Sequence, residues 1–307
     1  MEPRVSLLAS AYRSERYLPT WLENMTAQTI WAEAELLLVA NDLQPAERDA
    51  LAPFADRHPQ LRVLDVEREP LYRSWNRAIS QATAPILAIA NVDDLRTPDG
   101  LEQQVRDLED DRGALFSYGG FEINDSFPPS GRSLAVVDPP AFDRETFTSG
   151  MHVGPFLVWR AARSNPPAFF DEGLLSGSDM DFAIRLAFQG RGVKAPGSLG
   201  WYFDGGTGLS TAGALQRVER AVLCMRYGMF DEVDLDQLPE AAGYCIPELQ
   251  MPRGERLRVA DAVPDYEAVL AARRGRWKPP GRRRRQLRHH SGRLRTEIGG
   301  FLRRVRR

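Results

Sequence analysis

Two adjacent carboxylates follow an apolar, strand-like run in the first third of the chain. They belong to the segment Asn91-Val92-Asp93-Asp94, which comes directly after residues 85–90. Carboxylate oxygens are hard ligands that suit Mg²⁺ or Mn²⁺, and carboxylates meet phosphate groups only with a divalent cation between them. We therefore predict that Asp93 and Asp94 hold a divalent metal. The alternative is that the same acids form a helix N-cap before Pro98.

A second candidate for chemistry is Asp179, in the segment Gly177-Ser178-Asp179-Met180-Asp181. The spacing of apolar residues predicts a helix over residues 178–189, and Asp179 lies at its start. A carboxylate within hydrogen-bond reach of a hydroxyl can remove its proton, so Asp179 is a candidate general base. The alternative is that Asp179 only caps the amino terminus of this helix. Asp181 lies two residues further along the predicted helix, so its side chain points to a different face from that of Asp179.

Short aliphatic runs alternate with amphipathic stretches through the first half of the chain. The runs predict strands over residues 5–9, 35–40, 61–66, 85–90 and 114–118, and the stretches predict helices over residues 17–28, 45–57, 75–82 and 98–110. Such alternation is typical of a mostly parallel sheet with helices on both faces, so we predict an α/β fold. Ligands bind such sheets beyond the carboxyl ends of the strands. The residues that follow strands there are Ser10, Tyr12, Asn41, Asp42 and the 91–94 segment.

The second half of the chain is less regular. Residues 119–150 are rich in Gly and Pro, and residues 156–159 resume the core pattern. A strand is predicted over residues 199–203 and a helix over residues 211–227. The glycines between them could cradle phosphate oxygens through backbone N–H groups, or could form a plain surface loop. The patterns GxGxxG and GxxxxGK[ST] are missing, which argues against a dehydrogenase or an ATPase.

Several ordered motifs resemble those of family 2 glycosyltransferases, which are inverting enzymes of the GT-A fold. The resemblance covers roughly residues 4–215. It rests on residues 5–12, 17–18, 28–29, 39–42, 74–79, 90–94, 154–160, 170–172, 177–182, 199–202 and 208–211. The chain departs from the usual pattern at three positions: Asn91 opens the acidic metal motif, Asn41 opens the second-strand acid pair, and Ser178 precedes the base.

The resemblance implies a metal-dependent transfer of a sugar, with inversion, from a nucleotide-diphosphate sugar to an acceptor hydroxyl. It implies that Asp179 is the base and that Asp93 and Asp94 lie at a Mn²⁺ or Mg²⁺ ion. The nucleotide-sugar contacts expected from it are Ser10 and Tyr12 at the nucleoside, Asp42 at the nucleobase, and Asn76, Asn91 and Asp93. We expect a UDP, GDP or dTDP donor, a glycan or lipid-linked acceptor, and a role in cell-envelope or surface polysaccharide synthesis.

The charge of the chain is unevenly distributed. Residues 273–307 contain 15 Lys and Arg against a single acid, Glu297, whereas the whole chain has a formal net charge of -2. Apolar residues at helical spacing among these arginines fit an amphipathic helix on an anionic membrane surface. A solvated tail and, less favoured, nucleic-acid binding are the alternatives. We predict a GT-A domain over residues 1–211, a helical extension over 212–272 and a basic tail over 273–307.

No apolar run approaches the ~20 residues of a membrane-spanning helix, and the first residues lack a signal-peptide pattern. We therefore expect a cytoplasmic protein, peripheral at the inner face of the plasma membrane if the tail binds there. Two rival functions stay open. A metal-dependent nucleotidyltransferase would favour a glycine-rich, basic loop after the first strand, but residues 10–16 contain no glycine. A degenerate module that binds nucleotide sugar or membrane without turnover is suggested by Asn41 and Asn91.

Overall fold

The protein is described in a computed structural model that covers residues 2–161, 169–206 and 213–277. Its strands are β1 (Val5–Ala11), β2 (Ala34–Asn41), β3 (Leu61–Val66), β4 (Ile86–Ile89), β5 (Leu95–Arg96), β6 (Ala114–Asn124), β7 (Ala135–Val137), β8 (Val158–Arg160), β9 (Arg191–Phe203), β10 (Glu248–Gln250) and β11 (Arg256–Arg258). Its α-helices are α1 (Leu18–Thr26), α2 (Pro45–Arg57), α3 (Leu71–Gln81), α4 (Gly100–Asp110), α5 (Arg144–Phe147), α6 (Ser178–Gln189), α7 (Ala214–Arg226), α8 (Leu238–Ala241), α9 (Val259–Ala262) and α10 (Tyr266–Arg276).

The first half of the chain forms a parallel sheet in the order β3-β2-β1-β4. All residues of β2 are buried, because helices cover both faces of this sheet, and its apolar run is therefore continuous. Apolar side chains of α1 and α4 form one core with the sheet, and those of α3 and α6 form a second core on the other side. The predicted α/β fold is confirmed.

The second half of the sheet is mixed. The order continues as β4-β8-β6-β9-β5, in which β8 is antiparallel to both of its neighbours, β6 and β9 are parallel, and β5 is antiparallel to β9. The short β7 pairs antiparallel with β6. The sheet as a whole is thus less parallel than the sequence pattern predicts, because strands after residue 113 enter it in both directions.

Three elements differ in length from their predictions. β6 continues to Asn124, into a stretch predicted to be irregular, and β9 begins at Arg191 instead of residue 199. A bulge between Ala195 and Ser198, where Gly197 has a φ of +72°, explains the second difference. Pro and Gly inside a strand resemble a turn in the sequence, whereas here they only interrupt the pairing. Helix α3 begins at Leu71 instead of residue 75, directly after Pro70.

The C-terminal part packs against α6. Apolar residues of α6 share a core with those of α7, α9 and α10. A buried ion pair joins α7 to α6: Arg226 Nη1 lies 2.6 Å from Asp181 Oδ1, and it also lies 2.9 Å from Asp171 Oδ2, while Arg185 pairs with Asp181 within α6. Helices α6 and α7 therefore form one packed unit on the side of the sheet. The predicted division at residue 211 remains a prediction.

The basic tail lies mainly outside the described residues. Only its first part, up to Trp277, is described, and the predicted amphipathic helix falls in residues 278–307. Within the described ranges, the structure contains no helix with the length and apolar character needed to cross a bilayer.

Candidate active site

A cleft of about 2470 Å³ opens beyond the carboxyl ends of β1, β2 and β4 and reaches the start of α6. This is the edge at which ligands are expected in a parallel sheet. The cleft is lined by the following residues of the predicted site: Ser10, Tyr12, Asn91, Asp93 and Asp179. The fold thus brings together side chains that lie up to 169 positions apart in the sequence.

Asp93 and Asp94 occupy different positions. Asp93 is half-buried and lines the cleft, and burial raises the pKa of its carboxyl above the ordinary value. Asp94 is only 3% exposed, and within the described part of the chain it is not among the lining residues. Its Oδ2 accepts a hydrogen bond from Asn91 Nδ2 at 2.8 Å, and its Oδ1 accepts one from the Phe203 N–H at 3.2 Å. Asp94 therefore fastens the 91–94 segment to the end of β9.

The pKa of Asp94 is raised well above the ordinary aspartate value. Burial is the larger cause, and repulsion by Asp93 adds to it. The hydrogen bonds from Asn91 and Phe203 act in the opposite direction, because they stabilise the charged form. Asn91, which stands where the resemblance places an acid, thus supports Asp94 without adding a third negative charge.

The donor set of the cleft fits a lightly held divalent ion. Among the residues that the structure describes, no three His, Cys, Asp or Glu side chains come close enough to cage a metal. Mg²⁺ does not need such a cage, since it usually keeps several waters and binds one or two carboxylates together with substrate phosphates. Asp93 provides a half-buried carboxylate in the cleft, and a bound cation would offset the burial penalty on its charge.

Arginine and tyrosine side chains line the end of the cleft next to β1. The Arg68 guanidinium lies 3.7 Å from the centroid of the Tyr12 ring, and that of Arg13 lies 5.2 Å from it. All three residues line the cleft, as does Ser10. A π-face flanked by guanidinium groups suits a nucleobase with its phosphates. Arg68 was not identified from the sequence, because it lies in the irregular segment between β3 and α3, where no periodic pattern marks it.

Asn41 and Asp42 follow β2 but lie in different environments. Asn41 is buried and lines the cleft, and its side chain bonds both the N–H and the carbonyl of Glu69, at 2.9 and 2.8 Å. These bonds fix the segment that carries Arg68. Asp42 is exposed, has a φ of +56°, and is not among the lining residues of the described chain. Its contact with the nucleobase remains a prediction that this position does not support.

Asn76 also lies apart from the cleft lining of the described residues. Its Oδ1 accepts a hydrogen bond from the Phe170 N–H at 2.8 Å, and its Nδ2 donates to the Phe170 carbonyl and to Glu172 Oε1, at 2.9 and 3.0 Å. Both ends of the amide are therefore engaged in joining α3 to the 170–172 segment. The expected contact of Asn76 with the donor stays a prediction, and its hydrogen bonds indicate a supporting role.

Asp179 lines the cleft from the first turn of α6. Its Oδ1 accepts hydrogen bonds from the Met180 N–H at 2.8 Å and from the Tyr72 hydroxyl at 3.3 Å. Burial raises the pKa of the Asp179 carboxyl, and repulsion by Glu219 adds to the rise, while the two hydrogen bonds lower it. A carboxylate whose proton affinity is raised by its surroundings is well suited to accept a proton.

Tyr72 is a cleft residue that was not identified from the sequence. It lies in the first turn of α3, upstream of the predicted start of that helix at residue 75. The signal that could have revealed it is Pro70, since Pro is common at helix starts. With the helix begun there, Tyr72 and Trp75 fall three residues apart and share one face. Both line the cleft beside Asp179.

The far end of the cleft is apolar. Leu175, Leu235 and Trp277 line it and are 46%, 48% and 39% exposed. The Trp277 ring packs against Phe230 with centroids 6.0 Å apart. Exposed apolar groups gathered in one groove are typical of a ligand-binding surface. Of the predicted phosphate loop, Gly205 lines the cleft, and residues 207–212 lie outside the described ranges.

Two curated proteins are similar to part of this chain. EpsH of Bacillus subtilis (strain 168) is 28% identical over 124 residues, which cover 40% of this chain and 36% of EpsH. Chondroitin synthase of Escherichia coli is 22% identical over 189 residues, which cover 61% of this chain and 27% of that protein. The chain thus spans about a third of each relative, or less.

Solved structures of glycosyltransferases share the fold. The mannosyltransferase PcManGT of Pyrobaculum calidifontis, in complex with GDP-Man and Mn²⁺, matches with a TM-score of 0.54 at 17% identity, over 96% of this chain and 81% of that one. Residues 1–349 of S. aureus TarS, in complex with UDP-GlcNAc, match with a TM-score of 0.56 at 14% identity, over 78% of this chain and 69% of that one. At these identities the likeness establishes the GT-A fold.

The family assignment follows from the first half of the chain. The family model described as Glycosyl transferase family 2 matches residues 6–161, which is just over half of the chain. This range includes β1, β2, β4 and the 91–94 segment. The chain therefore belongs to glycosyl transferase family 2.

Proposed function

We propose that this glycosyltransferase moves a sugar, with inversion, from a nucleotide-diphosphate sugar to an acceptor hydroxyl, with Asp179 as the base and a divalent metal at Asp93. The observation that carries the proposal is that these two carboxylates, from different elements, line one cleft. Inversion requires attack from the face opposite the leaving group. A site with the leaving group at one wall and a base at the other meets that requirement.

Asp179 accepts the proton of the attacking hydroxyl in this mechanism. The hydrogen bonds from Tyr72 and from the Met180 N–H both end on Oδ1 and orient the carboxylate. Oδ2 is then the oxygen that receives the proton. The raised pKa of Asp179 makes that transfer more favourable than it would be to an ordinary aspartate.

Asp93 would hold the metal, and Asp94 would keep the 91–94 segment in place. When bound, a Mn²⁺ or Mg²⁺ ion supplies Lewis-acid stabilisation of the negative charge that builds on the departing diphosphate. Arg13 and Arg68 lie at the same end of the cleft and add positive charge there. Ser10 and Tyr12 bind the nucleoside, which we expect to be that of a UDP, GDP or dTDP sugar.

The acceptor binds at the apolar end of the cleft. Leu175, Leu235 and Trp277 offer apolar surface for the face of a sugar ring, and acidic groups of residues 231–236 border the same region. Carboxylates accept hydrogen bonds from sugar hydroxyls. We infer a glycan or lipid-linked acceptor and a role in cell-envelope or surface polysaccharide synthesis. The occurrence of a chondroitin synthase among the relatives supports that inference.

The test is nucleotide release from UDP-, GDP- and dTDP-sugars with Mn²⁺ or Mg²⁺. We would compare the wild type with Asp93→Asn, Asp179→Asn and the control Asp110→Asn, since Asp110 is an exposed residue at the end of α4. Donor hydrolysis that is lost in the first two variants and kept in the control supports the proposal. NMR of the released or transferred sugar would report whether the anomeric configuration inverts.

A degenerate binding module is the alternative that the asparagines suggest. Asn41 and Asn91 both act as hydrogen-bonding supports in the structure and carry no charge. That module would be favoured if a nucleotide sugar raises the Tm of the protein but no turnover occurs with either metal or with any acceptor extract. Release of pyrophosphate from a nucleoside triphosphate would instead favour a nucleotidyltransferase.

A further inference from the structure

A buried carboxylate on α7 holds the loop that precedes Asp179. Glu219 is fully buried, and its Oε1 accepts a hydrogen bond from the Leu175 N–H at 2.8 Å. Its Oε2 accepts two more, from the Ser176 N–H at 2.7 Å and the Gly177 N–H at 2.8 Å. Three successive backbone donors therefore converge on one side chain, in the manner of an anion-binding nest.

The position of this loop determines the position of the base. Gly177 is the N-cap residue of α6, and Asp179 is the second residue of that helix. Gly177 packs directly against α7, since a Cβ built on it would be in van der Waals contact, at 3.4 Å, with both Cβ and Oε2 of Glu219. The Tyr244 hydroxyl donates to Glu219 Oε1 at 3.3 Å and holds the carboxylate from its other side.

Glu219 also acts on Asp179 through its charge. Burial is the largest influence on the Asp179 pKa, and the negative charge of Glu219 raises that pKa further. The other groups that face Asp179 are the Tyr72 hydroxyl from α3 and the Met180 N–H from α6 itself, and both lower the pKa by hydrogen bonding. Glu219 is not among the cleft residues of the described chain, so any effect on turnover passes through Asp179 and its loop.

We propose that Glu219 is a positioning residue of this glycosyltransferase, which places Asp179 by fixing the backbone of residues 175–177. The inference rests on the proposed role of Asp179 as base. It assigns a functional part to α7, which lies outside the matched family segment and which carried no predicted site residue.

Two substitutions at Glu219 separate geometry from charge. Glu219→Gln keeps the shape, but its amide NH₂ must face at least one of the backbone N–H groups, and the negative charge is lost. Glu219→Asp keeps the charge but is one methylene shorter, so it cannot reach all three donors. The matched control is Glu35→Gln: Glu35 is likewise buried and accepts from the Thr83 N–H at 2.6 Å, at the amino end of β2 and remote from the cleft.

The measurements are donor hydrolysis as a function of pH, thermal unfolding, and hydrogen exchange of the peptide that covers residues 174–180, all on the full chain. For Glu219→Gln we expect kcat to fall about 10- to 100-fold with the donor KM unchanged, because a displaced catalytic group costs about that much. We also expect the acid limb of its pH profile to move to lower pH and its 175–177 amides to exchange faster. Glu219→Asp should lose kcat but keep the wild-type acid limb.

A folded Glu219→Gln with wild-type kcat, pH profile and exchange would overturn the inference, as would an equal change of the pH profile in Glu35→Gln. If Glu219→Gln does not fold, Glu219→Asp decides by its kcat and its exchange at 175–177. Asp179→Asn belongs in the same series. If it is inactive while the Glu219 variants behave as wild type, only the positioning role fails. If it retains full activity, the assignment of Asp179 as base fails, and this inference fails with it.

Discussion

At the scale of single residues, the burial that suits Asp179 to its proposed role as base is also unfavourable for folding. Burial penalises its charged form, which raises its pKa and makes it a better proton acceptor. Because the folded pKa lies above the unfolded value of ~3.9, this group stabilises the fold fully below that value. The contribution is lost as the pH rises through the folded pKa, so the charged group is a burden at neutral pH.

Replacing Asp179 by Asn should therefore separate activity from stability. We expect Asp179→Asn to lower kcat by about 10²- to 10⁴-fold, the usual contribution of a general base. Its Tm at pH 7 should equal or exceed that of the wild type, and the difference should vanish as the pH falls toward 4. Differential scanning fluorimetry between pH 4 and 8 gives the comparison. A Tm several degrees below wild type at pH 7 would contradict this account of the site.

Asp93 and Asp94 should respond differently to replacement by asparagine. Asp93→Asn should raise the Mn²⁺ concentration needed for half-maximal nucleotide release by at least about 100-fold. The reason is that it removes a proposed direct ligand of the metal, which should cost more than the loss of a residue that only hydrogen-bonds to a ligand. Asp94→Asn should lower thermal stability, because its amide NH₂ would face one of the two donors, Asn91 Nδ2 or the Phe203 N–H, with a smaller effect on the metal requirement. A metal titration of both variants beside wild type measures the difference. Equal metal requirements in the two variants would show that the acids share one role.

How far the site could be predicted depends on the side that each residue faces. Ser10 and Tyr12 are two positions apart on one strand and its extension, so they share a face, and both line the cleft. Asn41 ends β2 and lines the cleft, whereas Asp42 follows the strand with a φ of +56° and is exposed, which strand alternation could not indicate, and the contact of Asp42 with the nucleobase stays a prediction. Glu219 could not be found at all, because its partners are backbone groups 42 to 44 positions away.

At the scale of elements, the two-residue strand β5 is what connects the acidic segment to the sheet. It begins at Leu95, directly after Asp94, and pairs with β9 at Trp201 and Gly200. Gly200 has a φ of +158°, and a Cβ there would lie 2.1 Å from the Leu95 carbonyl oxygen and 2.9 Å from the Arg96 Cα. Only glycine allows the two strands this close approach.

Gly200→Ala should destabilise the protein by about 2 kcal/mol or more, because the added methyl group forces β5 away from β9. It should also lower turnover, since the displaced strand carries the 91–94 segment with it. Chemical denaturation and donor hydrolysis measure the two effects. Gly275→Ala is the matched control: Gly275 lies in α10, a methyl group there would meet no atom within 4 Å, and alanine should stabilise the helix slightly. Equal stability of Gly200→Ala and wild type would refute the steric argument.

The elements most open to prediction were those with continuous apolar runs. β1 to β4 were predicted close to their observed bounds, and for β1, β2 and β4 the reason is that a strand buried on both faces has a continuous apolar run. β9 was predicted at only its last five residues, because Pro196 and Gly197 form a bulge that resembles a turn. The direction of β8 could not be predicted, since antiparallel and parallel pairing at the centre of a sheet demand the same apolar residues.

At the scale of the whole molecule, the uneven distribution of charge predicts that the tail binds an anionic surface. The tail over residues 273–307 is strongly basic, while the rest of the chain carries nearly all of the acids. Each Lys or Arg near an anionic membrane surface contributes about 1 kcal/mol to binding. A tail of this composition is therefore predicted to bring the enzyme to anionic lipids, and its first described residues adjoin the cleft through Trp277.

Changing Arg282, Arg283, Arg284 and Arg285 to Gln should weaken binding to vesicles that contain phosphatidylserine by about three orders of magnitude, since four charges at about 1 kcal/mol each are lost. Donor hydrolysis in solution should be unchanged. Co-sedimentation with anionic and neutral vesicles, at low and high salt, measures the effect. If the wild type does not bind anionic vesicles, or binds neutral vesicles equally well, the tail is better described as a solvated segment.

Strand β9 connects the helix of the proposed base to the proposed metal segment. It follows α6, which carries Asp179, after the single residue Gly190, and its last residue, Phe203, donates to Asp94. In the proposed mechanism the strand is thus a spacer between the proton acceptor and the metal segment, and a shift of its register would change the distance between them.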